Sequence, residues 1–336
     1  MTRRWVTRPE GSNWGDFGDD DRLGRLNLLT AGKVLQAIAE VKVGKVFCLS
    51  LPLDYPGGSV LAPHRFPPRL QATERHGRRY FNYAFTNEGA DFCDVGCDDA
   101  VTMCTQYSTQ WDSLAHIGQA FDADGYGAAE ACYYNGYRGG DDIRDSGEHD
   151  SESVALGVEH MAVAGVQGRG VMVDLQARFG RARHLVSYAD LMRVMEADGV
   201  VVEHGDILCL HTGFADLVLE MGRRPDGGVL HSSCAALDGT DERLLRWITD
   251  SGVAAIAADN YAVEALPARQ RDGRRAFVPL HAHCLFKLGI HLGELWYLSE
   301  LSTWLKAHGR SRFLLTAPPL RLPGAVGSPV TPIATV

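Results

Sequence analysis

The sequence predicts an α/β fold, on two observations. From residue 187 onward helical and extended patterns alternate: a helix over 187–198, a strand over 207–214, a helix over 241–251 and a strand over 253–259. That alternation is the signature of helices packed on a sheet. A further apolar run at 170–175 reads as a short strand ending near the carboxylate of Asp174. At 336 residues the chain has ample length for such a core.

Taken in order, residues 9–30 are rich in Gly, Asp and Asn, which is turn chemistry anchored by Trp14, Leu26, Leu28 and Leu29. Thr30 is placed to cap a helix over 32–41, with Val34, Leu35, Ile38 and Val41 as its apolar stripe. Gly44 stops that helix, and 46–53 reads as a strand ended by Pro56, Gly57 and Gly58. Residues 59–80 form a polar loop whose His64 and arginines either face solvent or line an entrance; 80–85 reads as a strand. The glycine- and tyrosine-rich stretch 118–140 either walls a pocket with rings or covers the core with them. A short helix falls near 154–161, and His160 reads as structural. In helix 241–251, Leu244, Leu245, Trp247 and Ile248 are available for burial. A helix over 300–308, a strand over 312–317 and a Pro-Gly-rich closing segment over 318–329 complete the chain.

Composition narrows the function. Forty-two acidic against 33 basic residues give a net charge of −9, which argues against a nucleic-acid groove. No apolar run reaches the roughly 20 residues that span a bilayer, and the basic start lacks the apolar segment of a signal peptide. The eight cysteines are scattered without zinc-site spacing, which fits a reduced, cytoplasmic protein. There is no glycine-rich nucleotide fingerprint, Walker lysine motif or nucleophile elbow.

Two stretches carry chemistry. In 104–118, Gln106, Gln110, Asp112 and His116 fall at even separations. If 104–112 is extended, Gln106, Gln110 and Asp112 share a face, and the turn that follows brings His116 over the same pocket. A carboxylate beside an imidazole binds a metal, polarises water or moves protons near neutral pH. Buried Asp, Gln and His also pair merely to satisfy one another; the residues alone leave both readings open. The second stretch holds His281, His283, His291 and Glu294. One of these histidines with Glu294 suits a borderline divalent ion but binds it weakly without help from the first stretch. Which histidine it is stays open at this level.

Several further runs accompany these stretches: Asn13-Trp14-Gly15, Leu23-Gly24, Trp111-Asp112-Ser113-Leu114-Ala115-His116, Tyr134-Asn135-Gly136, His211-Thr212-Gly213, Asp259-Asn260 with Glu264, and Leu322-Pro323-Gly324. On these the chain resembles, almost end to end, the cyclase family of metal-dependent amide hydrolases, which contains bacterial kynurenine formamidase and isatin hydrolase. The resemblance implies a swivelling β/β/α architecture and a homodimer or homotetramer. It also implies one domain over 1–336, in which an N-terminal extension of about 45 residues wraps the core.

The family signature is a histidine, three residues, a second histidine, one residue, an aspartate, and a histidine four further on. Carried over, the aspartate is Asp112 and the proton-shuttling histidine is His116; the later metal histidine and glutamate are His281 and Glu294. The two signature metal histidines fall on Gln106 and Gln110, which departs from the family. The resemblance therefore implies one manganese or zinc ion, weakly held by Asp112, His281 and Glu294, or none. Two chemistries follow. In one, an activated water opens a C–N or C–O bond of a small aromatic or cyclic amide, lactam or lactone. In the other, a metal-poor cyclase or dehydratase uses His116 as base and Gln106 and Gln110 as oxyanion donors. A binding protein that keeps the pocket without turnover is the non-enzyme alternative.

Overall fold

The computed structural model of the protein describes residues 3–145, 152–270 and 272–336. A nine-stranded mixed sheet forms the middle of the molecule. In chain order its strands are β1 (Val46–Cys48), β2 (Gln110–Asp112), β3 (Gln167–Asp174), β4 (Ile207–His211), β5 (Ala255–Ala258), β6 (His291–Glu294), β7 (Arg312–Thr316), β8 (Gly327–Pro329) and β9 (Ile333–Thr335). They lie side by side as β1-β9-β7-β3-β4-β5-β6-β2-β8. β3 to β6 run parallel. β7 and β2 join them antiparallel on either side, and the outer strands continue antiparallel.

The parallel strands are buried on both faces, as parallel sheets require. Alternate side chains go to opposite layers. Val171, Val173, Leu208, Leu210, Ile256 and Ala258 join one core, while Met172, Ile207, Cys209, Ala255, Ala257 and Phe313 join the other. Helices cover both faces: α1 (Ala31–Ile38), α2 (Val158–Ala164), α3 (Tyr188–Ala197), α4 (Phe214–Glu220), α5 (Glu242–Ser251) and α6 (Ser299–Ala307). Leu191 and Val194 of α3 pack with Leu244 and Ile248 of α5 in the first layer; Met161 of α2 packs with Leu301 and Leu305 of α6 in the second. Ser187 and Asp190 form a capping box on α3, and Asp241 caps α5.

Several sequence readings change. The strand expected over 207–214 stops at His211, and α4 starts at Phe214. The short helix expected near 154–161 lies at Val158–Ala164. The strand expected over 46–53 is confined to Val46–Cys48. The strand expected over 80–85 shrinks to Tyr83–Ala84, in a ribbon with Val95–Gly96. The Pro-Gly-rich close of the chain contributes β8, and β9 follows it; both are strands of the main sheet. Helix α1 ends at Ile38 and leaves Leu35 and Ile38 exposed. It buries Ala37 and Lys33 instead, and the Lys33 ammonium meets Asp206 at 2.8 Å.

The N-terminal segment is pinned near the chain's second chemical stretch. Trp14 Nε1 donates to the Phe286 carbonyl (2.7 Å), Asn13 Nδ2 to Leu288 (2.9 Å) and the Arg25 amide to Gly289 (2.7 Å). Gly24 and Gly289 both have positive φ, and any side-chain carbon on Gly24 would collide with the Gly289 backbone.

A buried ion pair ties β3 to the residue that precedes its neighbour β4. Asp206 accepts two bonds from Arg169 (2.9 and 3.0 Å) and one from the Glu203 amide (2.7 Å), beside Lys33. Arg169 and Asp206 are 1% and 0% exposed. Removing one partner strands the other's charge in the core, so Asp206→Ala should cost about 3–5 kcal/mol. The check is the urea midpoint, where a loss under about 1 kcal/mol would contradict this account of the pair; Arg169→Leu with Asp206→Leu should recover part of the loss.

Candidate active site

Open parallel sheets present ligand sites at the carboxyl ends of their strands. Glu294 ends β6, and antiparallel pairing with β2 sets Gln110 opposite Glu294 and Asp112 opposite Leu292. Gln110 and Asp112, two apart on the strand, point the same way: Gln110 Nε2 donates to Asp112 Oδ1 (3.2 Å) and to Glu294 Oε2 (3.0 Å). His281 arrives from a different element, the helical turn Pro279–His281, which runs on into the π-helical turn Ala282–Leu288.

His281 is aimed by Glu264. That carboxylate accepts from the backbone amides of Leu280 (3.1 Å) and His281 (2.9 Å) and from the imidazole Nδ1 at 2.7 Å. The Nδ1 proton is therefore committed to Glu264, and Nε2 faces Glu294 Oε1 at 3.2 Å and Asp112 Oδ2 at 4.0 Å. One ligand atom each from Asp112, His281 and Glu294 lies within 4.8 Å of the others, all three residues being buried.

His116 stands beside this cluster, with Nε2 4.0 Å from Asp112 Oδ1 and Nδ1 3.3 Å from Gln106 Nε2. Gln106 does not come from an extended run. Residues 105–109 form turns and bends, and strand geometry begins at Gln110. Gln106 reaches His116 from that turn, whose carbonyl is held by Arg65 Nη1 at 2.7 Å.

The electrostatics follow from packing acceptors together. Burial, then the neighbouring Asp112 carboxylate, raises the Glu294 carboxyl well above its ordinary range. Burial alone would lower His281, but its bonds to Glu264 and Glu294 outweigh that and raise it. Burial lowers His116 below its usual value, only partly offset by Asp112, and His281 and Arg65 push the same way as burial. The His116 ring is thus neutral at pH 7 and able to take a proton.

The donor set fits a divalent cation: one imidazole nitrogen and two carboxylates converge, and the imidazole is fixed from behind by a third carboxylate. Two buried oxygens at the same place, Gln110 Oε1 and Asp112 Oδ2, have no hydrogen-bond partner among the described residues.

The structure brings together all six candidate residues: Gln106, Gln110, Asp112, His116, His281 and Glu294. The rivals of His281 are elsewhere in their contacts. His283 bonds Thr249 (2.9 Å) and His291 bonds the Asp112 carbonyl (3.1 Å); burial pushes both rings down to about 4. Of the tyrosines in the glycine-rich loop, Tyr134 and Tyr137 cover the core and bond Asp21 and the Asp20 carbonyl, whereas Tyr126 is exposed. Aromatic lining comes instead from Tyr261 and Phe277, in a cavity of about 620 Å³ that His116, His281 and Glu294 share with Leu61, Pro63, Ile117, Leu266 and Val278. Sequence reasoning noted Glu264 without a role; its only local signal was the run from Asp259 to Glu264 that ends in it.

The mixed sheet with its double helical cover and this three-residue cluster define an α/β protein with a candidate metal centre. The sequence family described as "Putative cyclase" matches residues 48–265. A crystal structure of a novel cyclase is 30% identical, covers 97% of each chain and superimposes with a TM-score of 0.77. The chain belongs to the cyclase family and has its fold. Isatin hydrolase A from Labrenzia aggregata, bound to benzyl benzoate, shares the fold at 12% identity, with 92% and 98% of the two chains covered and a TM-score of 0.55. Isatin hydrolase A from Ralstonia solanacearum does so at 14% identity, over 86% and 91%, with a TM-score of 0.54. No curated protein matches the chain.

Because Glu264 holds the His281 ring, Glu264→Gln should lower affinity for a divalent ion by roughly 10–100-fold while Asp112 and Glu294 stay in place. Titration calorimetry with manganese and zinc reads this out; an unchanged affinity would remove Glu264 from the metal account.

Proposed function

We propose that the protein is a hydrolase that opens a C–N or C–O bond of a small cyclic or aryl amide, lactam or lactone with an activated water. The observation that carries this reading is the convergence of Asp112, His281 and Glu294 beside a neutral His116, on the wall of a mostly apolar cavity. Two solved structures of the same fold are isatin hydrolases, so the fold supports hydrolytic chemistry in other chains.

Asp112, His281 and Glu294 are the residues that would hold a manganese or zinc ion, with the Gln110 side-chain oxygen as a weaker fourth donor. Such an ion supplies Lewis acidity toward a carbonyl oxygen and acidity to water. The chain's own residues handle the protons. As water adds to the carbonyl carbon, its proton passes to His116 Nε2; as the C–N or C–O bond breaks, Nε2 returns it to the leaving atom. That step needs the ring proton on Nδ1, so the Gln106 amide turns half round to set its oxygen, which accepts from Nδ1–H, where its Nε2 lies 3.3 Å from the ring. The apolar walls exclude water around a flat ring.

The metal-free cyclase or dehydratase alternative needs free amide donors. Its Gln110 donor groups are already directed at Asp112 and Glu294, which favours hydrolysis. We take the whole chain, residues 1–45 included, as one functional unit, and the protein as a cytoplasmic homodimer or homotetramer. Support comes from eight unpaired cysteines and from the exposed apolar Leu35, Ile38, Val43 and Val46. The net charge of −9 disfavours nucleic acid, and among the described residues no helix is long and apolar enough to cross a membrane.

Elemental analysis of protein purified without chelator, with calorimetric titration of manganese and zinc, should find about one ion per chain in wild type and none in Glu294→Ala. Turnover of aryl amides, lactams and lactones should track that ion, and hydrolysis undiminished in Glu294→Ala would sink the reading.

His116→Ala should lose roughly 100-fold or more in kcat while still binding the ion. Because the His116 pKa is lowered, its basic form persists below pH 6.5, so the acid limb of kcat/KM should fall below that value in wild type. An acid limb above pH 6.5, or one that persists in His116→Ala, would assign the base elsewhere.

A further inference from the structure

We propose that Arg65 forms an anion-binding subsite, so that the substrate carries a carboxylate beside its apolar ring. The inference borrows from the hydrolase reading only the location of the reaction. Arg65 is half-buried and lines the same cavity as His116, His281 and Glu294. It also lines the small recess bounded by Gln106, Tyr107 and Glu294.

Its guanidinium is underused by the protein. Nη1 donates to the Gln106 carbonyl at 2.7 Å, and among the described residues no carboxylate oxygen lies within 4.0 Å of it. The more deeply held arginines are matched. Arg169 grips Asp206 and Glu203, Arg138 pairs with Asp124 and Glu130, and Arg25 is tied to the carbonyls of Ile248 and Thr249. An arginine offers five donors in a planar fork that matches a carboxylate, so a half-buried fork with one anchored nitrogen presents the remaining donors to whatever fills the cavity.

The surroundings favour an anion. Arg65 is the one Lys or Arg among the described residues lining the cavity, and its charge is felt at both His116 and Glu294. Leu266, Pro267, Phe277 and Val278 give the cavity an apolar wall. A fixed cation beside that apolar wall, in a cavity where Glu294 is the one carboxylate among the described lining residues, suits an aryl or alicyclic acid better than a neutral ring.

Benzoate and benzamide, nearly equal in shape and different in charge, are the probes. Calorimetry near neutral pH on the full purified chain should show wild type binding benzoate more tightly than benzamide. Arg65→Gln, which keeps a donor for the Gln106 carbonyl, should lose roughly tenfold or more in benzoate affinity and leave benzamide unchanged. Arg65→Lys, which keeps the charge without the fork, should retain part of the preference and serves as the variant should Arg65→Gln fail to fold. Equal binding of the two probes by wild type, or benzoate affinity intact in Arg65→Gln, overturns the subsite. Turnover assays separate this from the function itself. A neutral lactone opened equally by wild type and Arg65→Gln, with no benzoate preference, would leave the hydrolase and remove the subsite. Arg65-dependent benzoate binding without hydrolysis of any amide or lactone would do the reverse.

Discussion

The site depends on an electrostatic debt: two carboxylates, Asp112 and Glu294, are buried within a few ångströms of each other and of an imidazole. Burying like charges together is unfavourable unless positive charge or hydrogen-bond donors answer them. Here the answer comes from Gln110, whose amide reaches both, and from His281, raised by Glu264 and Glu294. The backbone follows the same constraint. β2 and β6 must pair in the register that sets Gln110 opposite Glu294, and a helical turn must deliver His281 from above. A cation would satisfy the same demand, which is why Gln110 Oε1 and Asp112 Oδ2, without partners among the described residues, weigh in its favour.

His116 stays apart from that balance. It lies near enough to Asp112 to feel the charge, but burial dominates and keeps the ring neutral. Having Gln106 rather than a third imidazole beside it is chemically distinctive. An amide neither competes for protons nor carries charge, so it orients the ring without titrating with it. The separation of roles, acceptors at the cluster and a neutral base next to it, is what a water-activating site requires.

Much of this was legible in the sequence, and the parts that were not have identifiable causes. The even spacing of Gln110 and Asp112 correctly implied a shared face because that stretch is a strand. The same rule failed at Gln106, where the chain turns; contact with His116 survives because the turn folds back on it. Proline hid β8: Pro329 has no amide proton to donate, and it is tolerated because β8 lies at the sheet's edge. In α1 the buried face carries Lys33, which meets Asp206 across 173 positions of sequence, a long-range partner that periodicity does not encode. Among His281, His283 and His291, residue chemistry could not choose. The choice came from family resemblance, and the physical reason for it is Glu264, brought to His281 by tertiary packing.

The pairing of β2 has a consequence for how the protein comes into being. Its neighbours in the sheet are β6 and β8, from residues 291–294 and 327–329, so a strand at residues 110–112 waits for segments made far later in the sequence. Contacts of such long sequence separation are slow to form because loop closure must precede their reward. On a ribosome, Asp112 and His116 would emerge long before Glu294 exists. The candidate site is then among the last features of the molecule to assemble, and an ion that requires Asp112 and Glu294 together would bind finished chains in preference to growing ones.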